Sequence, residues 1–144
     1  MRTKNITVKE IEYVAFDLAQ KLMKWDEPIP DFGTRFPNIL ESCINTPFFS
    51  FNKKDQYKGL VGKSGILLYL MIKNHPFKNG NKRIAVMTLL YFLYKNGKWL
   101  DIPKDDLYVF SVDIAKSYPQ DREKVMSRIH NTIKNHLVNK SVID

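Results

Sequence analysis

The segment from Asn81 to Asn96 is the feature that most constrains how this chain folds. After its first three residues, the stretch NKRIAVMTLLYFLYKN is apolar around most of a helical circumference. Such a helix cannot lie on a surface, because every face must be covered by other parts of the chain. Gly97 follows at once and is the residue type that commonly ends a helix. The segment therefore predicts a central buried helix with the remaining elements packed around it.

The N-terminal third predicts two helices separated by a loop. Thr7 and Glu10 have the spacing of a capping box, in which each side chain pairs with a backbone amide of the other residue. Apolar residues then recur with a period close to 3.6, at Val8, Ile11, Val14, Ala15, Leu18, Leu22 and Trp25. The stretch DEPIPDFGTRFP contains three prolines and a glycine, so it predicts a loop. A short helix, NILESCIN, is expected next.

The rest of the chain predicts a hairpin and more helices. In PFFSFNKKDQY, Phe49 and Phe51 alternate before a polar, turn-like centre, which indicates a short β-hairpin flap. The run LVGKSGILLYLMIKN predicts a helix from Leu60 to Asn74, ended by Pro76. Two more helices are predicted from the residues Leu107, Phe110, Ile114 and Ala115 and from Val125, Ile129, Ile133 and Leu137. The expected fold is one all-α domain over residues 1–144, a helical bundle with one β flap.

The charge and the cysteine content indicate the kind of partner and the cellular compartment. Twenty-three Lys and Arg against fifteen Asp and Glu give a net charge of +8, which favours an anionic partner such as a nucleotide, a nucleic acid or an acidic protein. The single cysteine, Cys43, allows no intrachain disulfide and suits a reducing compartment. The apolar runs are shorter than the roughly 20 residues of a membrane span, and the N-terminus lacks a signal-peptide core. A cytoplasmic protein without membrane contact is expected.

A polar cluster, HPFKNGNKR, stands directly before the buried helix. The N-terminus of a rigid helix offers unpaired amides and a partial positive charge, and Gly80 can turn further amides into a concave nest. Asn81, Lys82 and Arg83 add donors and positive charge suited to phosphate oxygens. His75 faces this cradle from the preceding helix end and can act as a general base. The cluster predicts transfer from a nucleotide phosphate to a hydroxyl, with Phe77 as an apolar plug for the loop.

These residues resemble the motif of the Fic/Doc family. That motif reads H-x-F, then after one position an acidic residue, a small residue and Asn. Its adenylyltransferase branch continues with Gly and Arg and has a second Arg three residues on, whereas the death-on-curing (Doc) branch has Lys and lacks the second Arg. Here Lys82 and Arg83 follow Asn81, and position 86 is Val. The stretches LESCINTPF and DLYVFSVDIA also look like Doc-type flanks, so the resemblance covers roughly residues 35 to 120.

The resemblance implies a Fic-type fold and a role for each motif residue. His75 would be the general base, Gly80 and Asn81 would bind phosphate, and Arg83 would stabilise charge on the transferring group. Lys82 is associated in the Doc toxin with an inverted nucleotide, so the γ-phosphate of ATP would pass to a Ser or Thr hydroxyl of a target protein. The Doc toxin's target is a threonine of translation elongation factor Tu. The flap would clamp the target by strand addition.

One position departs from the family pattern. Asn79 stands where the family has an Asp or Glu that holds Mg²⁺ against the nucleotide, and a neutral amide oxygen is a weaker ligand for a hard cation. The family's internal inhibitory pattern, Ser or Thr with Glu four residues later, is not found. An antitoxin-like partner chain is therefore expected to restrain the protein.

Three other functions compete with Doc-like phosphoryl transfer. One is adenylylation by the same fold, and another is a catalytically inactive binding protein whose Asn79 abolishes chemistry. The third is a basic all-α ribonuclease that uses Arg followed by His after four to six residues. Arg128 lies two residues before His130 and eight before His136, so that spacing is absent and nucleic acid is not the favoured partner.

Overall fold

The computed structural model describes residues 2–23 and 28–142. Most of these residues are helical, which confirms the predicted all-α class. The first helical rod is continuous and consists of α1 (Val8–Glu10), a π-helical stretch (Ile11–Phe16) and α2 (Asp17–Leu22). The later helices are α3 (Pro37–Asn45), α4 (Gly59–Lys73), α5 (Asn81–Lys95), α6 (Lys104–Lys116) and α7 (Arg122–His136).

Helix α5 is the central element that the sequence predicts. It packs against α4, α6, the π-helical stretch and a short strand that follows it. Ile84, Leu89, Phe92 and Leu93 are fully buried on different sides of the helix. Gly97 follows the C-cap with a φ of 81°, as expected for a residue that stops a helix.

The first rod begins as predicted but turns a different face to the core. The capping box is formed, with Thr7 N donating to Glu10 Oε1 over 2.9 Å and Glu10 N to Thr7 Oγ1 over 3.1 Å. Beyond the π-helical stretch, Ala19 and Met23 are fully buried, while Leu22 is 50% exposed. A π-turn contains one residue more than an α-turn, so it rotates the following face by one position. The prediction that Leu22 faces the core is therefore wrong; Trp25 lies outside the described residues.

The flap forms as the sequence predicts. Strand β1 (Ser50–Phe51) pairs antiparallel with β2 (Lys54–Asp55). Asn52 and Lys53 both have positive φ, the backbone of the tight turn that matches the twist of a hairpin. The base of the flap is fixed to α4 by Lys63, which is only 4% exposed. Its Nζ donates to Asp55 Oδ2 over 2.9 Å and to the Tyr57 carbonyl over 2.7 Å.

A second small sheet is absent from the sequence prediction. Strand β3 (Lys98–Leu100) pairs antiparallel with β4 (Leu137–Asn139), and Leu100 lies opposite Leu137. Leu137 thus begins a strand, and its predicted place in the last helix is wrong. Val125, Ile129 and Ile133 of that helix are buried as expected. Among residues 2–23 and 28–142, no helix is long and apolar enough to cross a membrane.

Candidate active site

The predicted site residues lie on the loop that joins α4 to α5. Helix α4 ends at its C-cap, Asn74, and His75 follows with a φ of 51°, in the left-handed region that non-glycine residues seldom adopt. Strained backbone of this kind is common where a side chain has to be aimed for function. His75 is exposed to solvent, whereas Pro76 and Phe77 directly after it are buried.

Asn81 closes this loop on itself. Its Oδ1 accepts a hydrogen bond from Phe77 N over 2.9 Å, and its Nδ2 donates to Phe77 O over 2.7 Å. The same Nδ2 lies 3.5 Å from Nδ1 of His75. Asn81 is itself 8% exposed. One side chain therefore fixes the loop and brings the imidazole to the N-terminus of α5.

Phe77 is the plug that the sequence predicts. Its ring centroid lies 5.8 Å from that of Phe16 and 5.7 Å from that of Phe32. The segment that contains Phe32 runs along the whole loop, because Ile29 lies beside Gly80 and Phe36 N donates to Pro76 O over 2.9 Å. Nothing in the local pattern of these residues predicts this long-range contact, so the sequence reading missed it.

Gly80 makes the turn into α5. Its φ is 76°, and a Cβ at this position would lie 2.7 Å from Cγ1 of Ile29. Backbone and neighbour therefore both require glycine. The Gly80 carbonyl accepts the first helical bond, from Ile84 N. Within the part of the chain that the structure describes, the amides of Asn81 and Lys82 have no acceptor, so they are available to an anion.

The two cations after Asn81 occupy different environments. Lys82 is half-buried, and its Nζ makes no hydrogen bond or ion pair with residues 2–23 or 28–142. Arg83 is 2% exposed and donates from Nη1 to the carbonyl of Met23 over 3.2 Å. Its Nη2 lies 3.4 Å from where a Cβ on Gly80 would stand. The guanidinium of Arg83 thus lies next to Gly80. It also links the end of the first rod to α5.

Asn79 has its side-chain oxygen turned into the loop. Oδ1 accepts a hydrogen bond from Gly80 N over 2.8 Å. The oxygen that would meet Mg²⁺ is therefore engaged, and it is neutral. No group of three or more His, Cys, Asp or Glu suited to a metal is found among the described residues. The residues present do not fit Mg²⁺ ligation by the protein, since a hard cation prefers carboxylates.

Cys43 is excluded as an alternative nucleophile. It is fully buried, and burial raises the pKa of its thiol to about 12. A thiol with such a pKa holds almost no thiolate at neutral pH, and the thiolate is the reactive form.

The sequence matches a known protein family over the region that contains this loop. A family model described as Fic/DOC family matches residues 6–93, more than half of the chain. The chain belongs to the Fic/DOC family. Members of that family are typically transferases that modify proteins, which suggests a nucleotide-dependent modification. No curated protein and no solved structure matches the chain.

The extent of the Fic/DOC match differs from the expected one. It begins at residue 6 and so includes the first helical rod, which the resemblance from residue 35 onward left out. It ends at residue 93, before the stretch DLYVFSVDIA, which therefore lies outside the family match. The rod also contacts the motif loop, since its Phe16 packs against Phe77.

The structure brings the motif residues together and anchors the base of the flap near the other end of α4. Lys63 holds the flap near the start of α4, and His75 follows the other end of that helix. Lys73 lies ten residues after Lys63, which corresponds to about 15 Å of helix rise. The base of the flap thus lies at the end of α4 opposite to His75.

Proposed function

We propose that this Fic/DOC protein transfers the γ-phosphate of ATP to a Ser or Thr hydroxyl of a target protein. The observation that carries the proposal is the placement of the His75 ring 3.5 Å from Asn81, at an N-terminus whose first amides have no acceptor among residues 2–23 and 28–142. A base and an anion-binding nest then lie within one short loop. This is the juxtaposition that phosphoryl transfer to a hydroxyl needs.

His75 is the proposed general base. Its unprotonated ring nitrogen takes the proton of the target hydroxyl, whose oxygen forms a bond to the γ-phosphorus as the bond to the bridging oxygen breaks. ADP leaves with the electron pair of that broken bond, and the imidazolium returns its proton to solvent. The 3.5 Å contact to Asn81 is longer than a typical N–H hydrogen bond, so the ring is oriented without its lone pair being held tightly.

Lys82 and Arg83 are proposed to bind the phosphates together with Gly80 and Asn81. The amides of Asn81 and Lys82 donate to phosphate oxygens, and the positive end of α5 adds to the attraction. Lys82 supplies a cation with no partner among the described residues. Arg83 would neutralise charge from its buried position beside Gly80, where a low dielectric strengthens the interaction.

Two positions favour phosphoryl transfer over adenylylation. Lys82 stands where the adenylyltransferase branch has a glycine, as in the Doc toxin whose nucleotide is inverted. Val86 stands where that branch has its second arginine, and it is fully buried against the core. A valine at position 86 cannot supply the charge of that second arginine. Both features support a Doc-like direction of transfer.

Mg²⁺ enters the proposal only with the nucleotide. The ion supplies charge neutralisation on ATP phosphates when it is bound there. By its place in the motif Asn79 would be the residue to meet such an ion, but its oxygen is neutral and already accepts from Gly80 N. No step of the reaction is assigned to protein-bound metal.

The same observation supports a second candidate function. With no carboxylate at position 79, the protein would bind a nucleotide or a partner through the Fic fold without catalysing transfer. This binding protein and the kinase share the nest and differ in turnover.

An antitoxin-like acidic chain is the proposed inhibitor, since the net charge of +8 favours an anionic surface.

The experiment that tests the proposal uses ATP labelled at either the α or the γ position. Cell extract freed of nucleotides, or purified elongation factor Tu, is incubated with the protein. Label from the γ position on a protein band supports the kinase. Label from the α position would identify an adenylyltransferase, and binding of ATP without any labelled protein would support the inactive binding protein.

A further inference from the structure

The strained backbone of His75 is fixed from two sides. Its φ of 51° lies in the left-handed region, although a following proline normally keeps a residue extended. Such a conformation persists only where the surrounding structure determines it. On one side, Asn81 bonds both backbone groups of Phe77. On the other side, Pro76 O accepts a hydrogen bond from Phe36 N over 2.9 Å. The direction of the His75 side chain therefore depends on Phe36 as well as on Asn81.

The backbone of Phe36 lies between a short turn and a helix. The segment before it contains a single 3₁₀ turn (Phe32–Thr34). The helix after it is α3, whose Ile39 N and Leu40 N both donate to the Phe36 carbonyl over 3.1 Å. The direction of Phe36 N is thus set by how firmly the turn is joined to the start of α3. The residue that joins them is Arg35.

Arg35 holds the turn through both its backbone and its side chain. Arg35 N donates to the Phe32 carbonyl over 3.1 Å, and Nη1 donates to the same oxygen over 3.3 Å. The guanidinium carbon lies 4.5 Å from the centroid of the Phe32 ring, which is a cation–π contact. The Phe32 ring packs in turn against Phe77 of the motif loop, at 5.7 Å between centroids. Arg35 therefore supports the loop through a hydrogen bond and through stacked rings.

An arginine is a costly residue for a brace that only adds stability. Arg35 is half-buried and forms no ion pair with residues 2–23 or 28–142. Its Nε is buried and has no hydrogen-bond partner in the same residues. Burying part of a charged group without a counter-ion costs free energy. What the planar guanidinium provides instead is one defined geometry, because it contacts the carbonyl and the ring of the same residue.

We infer that Arg35 is a positioning residue that keeps His75 directed at the nest, acting through the hydrogen bond from Phe36 N to Pro76 O. Without the guanidinium the turn can shift, this hydrogen bond weakens, and the backbone of His75 relaxes from its left-handed conformation. A displacement of about 1 Å in a reacting group can cost about a hundredfold in rate. The inference rests on the proposed transfer reaction and adds a residue that the reaction depends on.

Arg35→Met is the test variant, because methionine keeps an apolar side chain over Phe32 but removes the charge and the donors. Arg35→Lys is the conservative variant, since it keeps the charge. Arg128→Met is the matched control, because Arg128 also lies over a phenylalanine ring, 5.6 Å from the centroid of Phe110, but on α7.

Two measurements are made on each protein, both at a temperature below its unfolding transition. The first is γ-phosphate labelling of nucleotide-free cell extract over a range of ATP concentrations. The second is hydrogen exchange of the Phe36 amide, which reports the bond to Pro76 without any need for activity. The Ile84 amide, bonded to the Gly80 carbonyl in α5, is the internal reference for exchange.

Arg35→Met is expected to lower the maximal labelling rate by about tenfold to a hundredfold, with the ATP concentration for half-maximal rate unchanged. Its Phe36 amide should exchange about tenfold faster than in the wild type, while the Ile84 amide keeps its rate. Arg35→Lys should recover part of both losses. Arg128→Met should match the wild type in labelling and in exchange.

Two results would overturn the inference. Faster exchange of the Phe36 amide with wild-type labelling would show that His75 does not depend on this hydrogen bond. Wild-type exchange of that amide in Arg35→Met would show that Arg35 does not hold it. A wild type that binds ATP but labels no protein would overturn the proposed function instead, and the exchange rates would still decide whether Arg35 supports the loop.

Discussion

The side-chain nitrogen of Asn81 lies 3.5 Å from Nδ1 of His75, across a loop that Asn81 itself closes through both backbone groups of Phe77. The residue that shapes the loop is thus the one that orients the proposed base. Because His75 is exposed and Asn81 is buried, the site combines an accessible reacting group with a rigid support.

Replacing His75 tests the base directly. We expect His75→Asn to lower the rate of phosphoryl transfer by about 10² to 10⁴, the range that a positioned general base contributes. Asn is the suitable replacement because it tolerates the left-handed backbone at this position. Thermal unfolding should change little, and His136→Ala, at an exposed histidine of α7, should keep full activity. A fully active His75→Asn protein would reject His75 as the base.

Restoring a carboxylate at position 79 tests whether metal binding limits the reaction. We expect Asn79→Asp to raise the transfer rate and to lower the Mg²⁺ concentration for half-maximal activity, because an anionic oxygen is the better ligand. A titration of Mg²⁺ at fixed ATP measures both effects. If Asn79→Asp and the wild type have the same turnover at every Mg²⁺ concentration, the metal is bound by the nucleotide alone.

Gly80 is expected to be required for stability as well as for binding. Gly80→Ala combines left-handed strain with a Cβ 2.7 Å from Ile29, whereas Gly97→Ala has a φ of 81° and open space around the Cβ. We expect Gly97→Ala to cost about 1 kcal/mol and Gly80→Ala about 1 to 3 kcal/mol more. Urea unfolding measures the difference between the two. If the two variants lost the same free energy of unfolding, the loop around position 80 would have moved to accommodate the new methyl group.

Glu10 is expected to make stability depend on pH. Burial raises the pKa of its carboxyl, but hydrogen bonds from Lys95, Tyr91 and the Thr7 amide outweigh it, so the net pKa lies below the ordinary value of 4.5. The stabilisation is then complete above pH 4.5 and is lost as the pH falls through the lower folded-state value.

The comparison of Glu10→Gln with the wild type measures this contribution. We expect a difference of about 1 kcal/mol in the free energy of unfolding at pH 7, modest because the side chain is partly exposed. The difference should shrink below pH 4.5. A difference that is constant from pH 7 to pH 3 would contradict the ionic account.

Local patterns were sufficient to predict the helices and the flap, because caps, prolines and periodicity act within a few residues. They failed where the cause is not local. The π-helical stretch cannot be recognised from the spacing of apolar residues such as Val8 and Ile11. It nevertheless moves Leu22 out of the core. Strand β3 forms only because β4, nearly forty residues later, pairs with it.

The motif residues could be identified from the sequence. The burial of their side chains could not be predicted from it. Residues two apart on a helix point about 200° from each other, so Arg83 cannot share the direction of Asn81. It is turned instead toward Met23. The hydrogen bond from Phe36 N to Pro76 O joins two segments forty residues apart, which no single segment specifies.

Intact mass spectrometry of cellular proteins incubated with this protein and ATP tests the central claim most directly. The account predicts that a target gains the mass of one phosphoryl group, and that the gain is lost when His75→Asn replaces the wild type. A gain of one adenylyl group, or no gain on any protein, would contradict it.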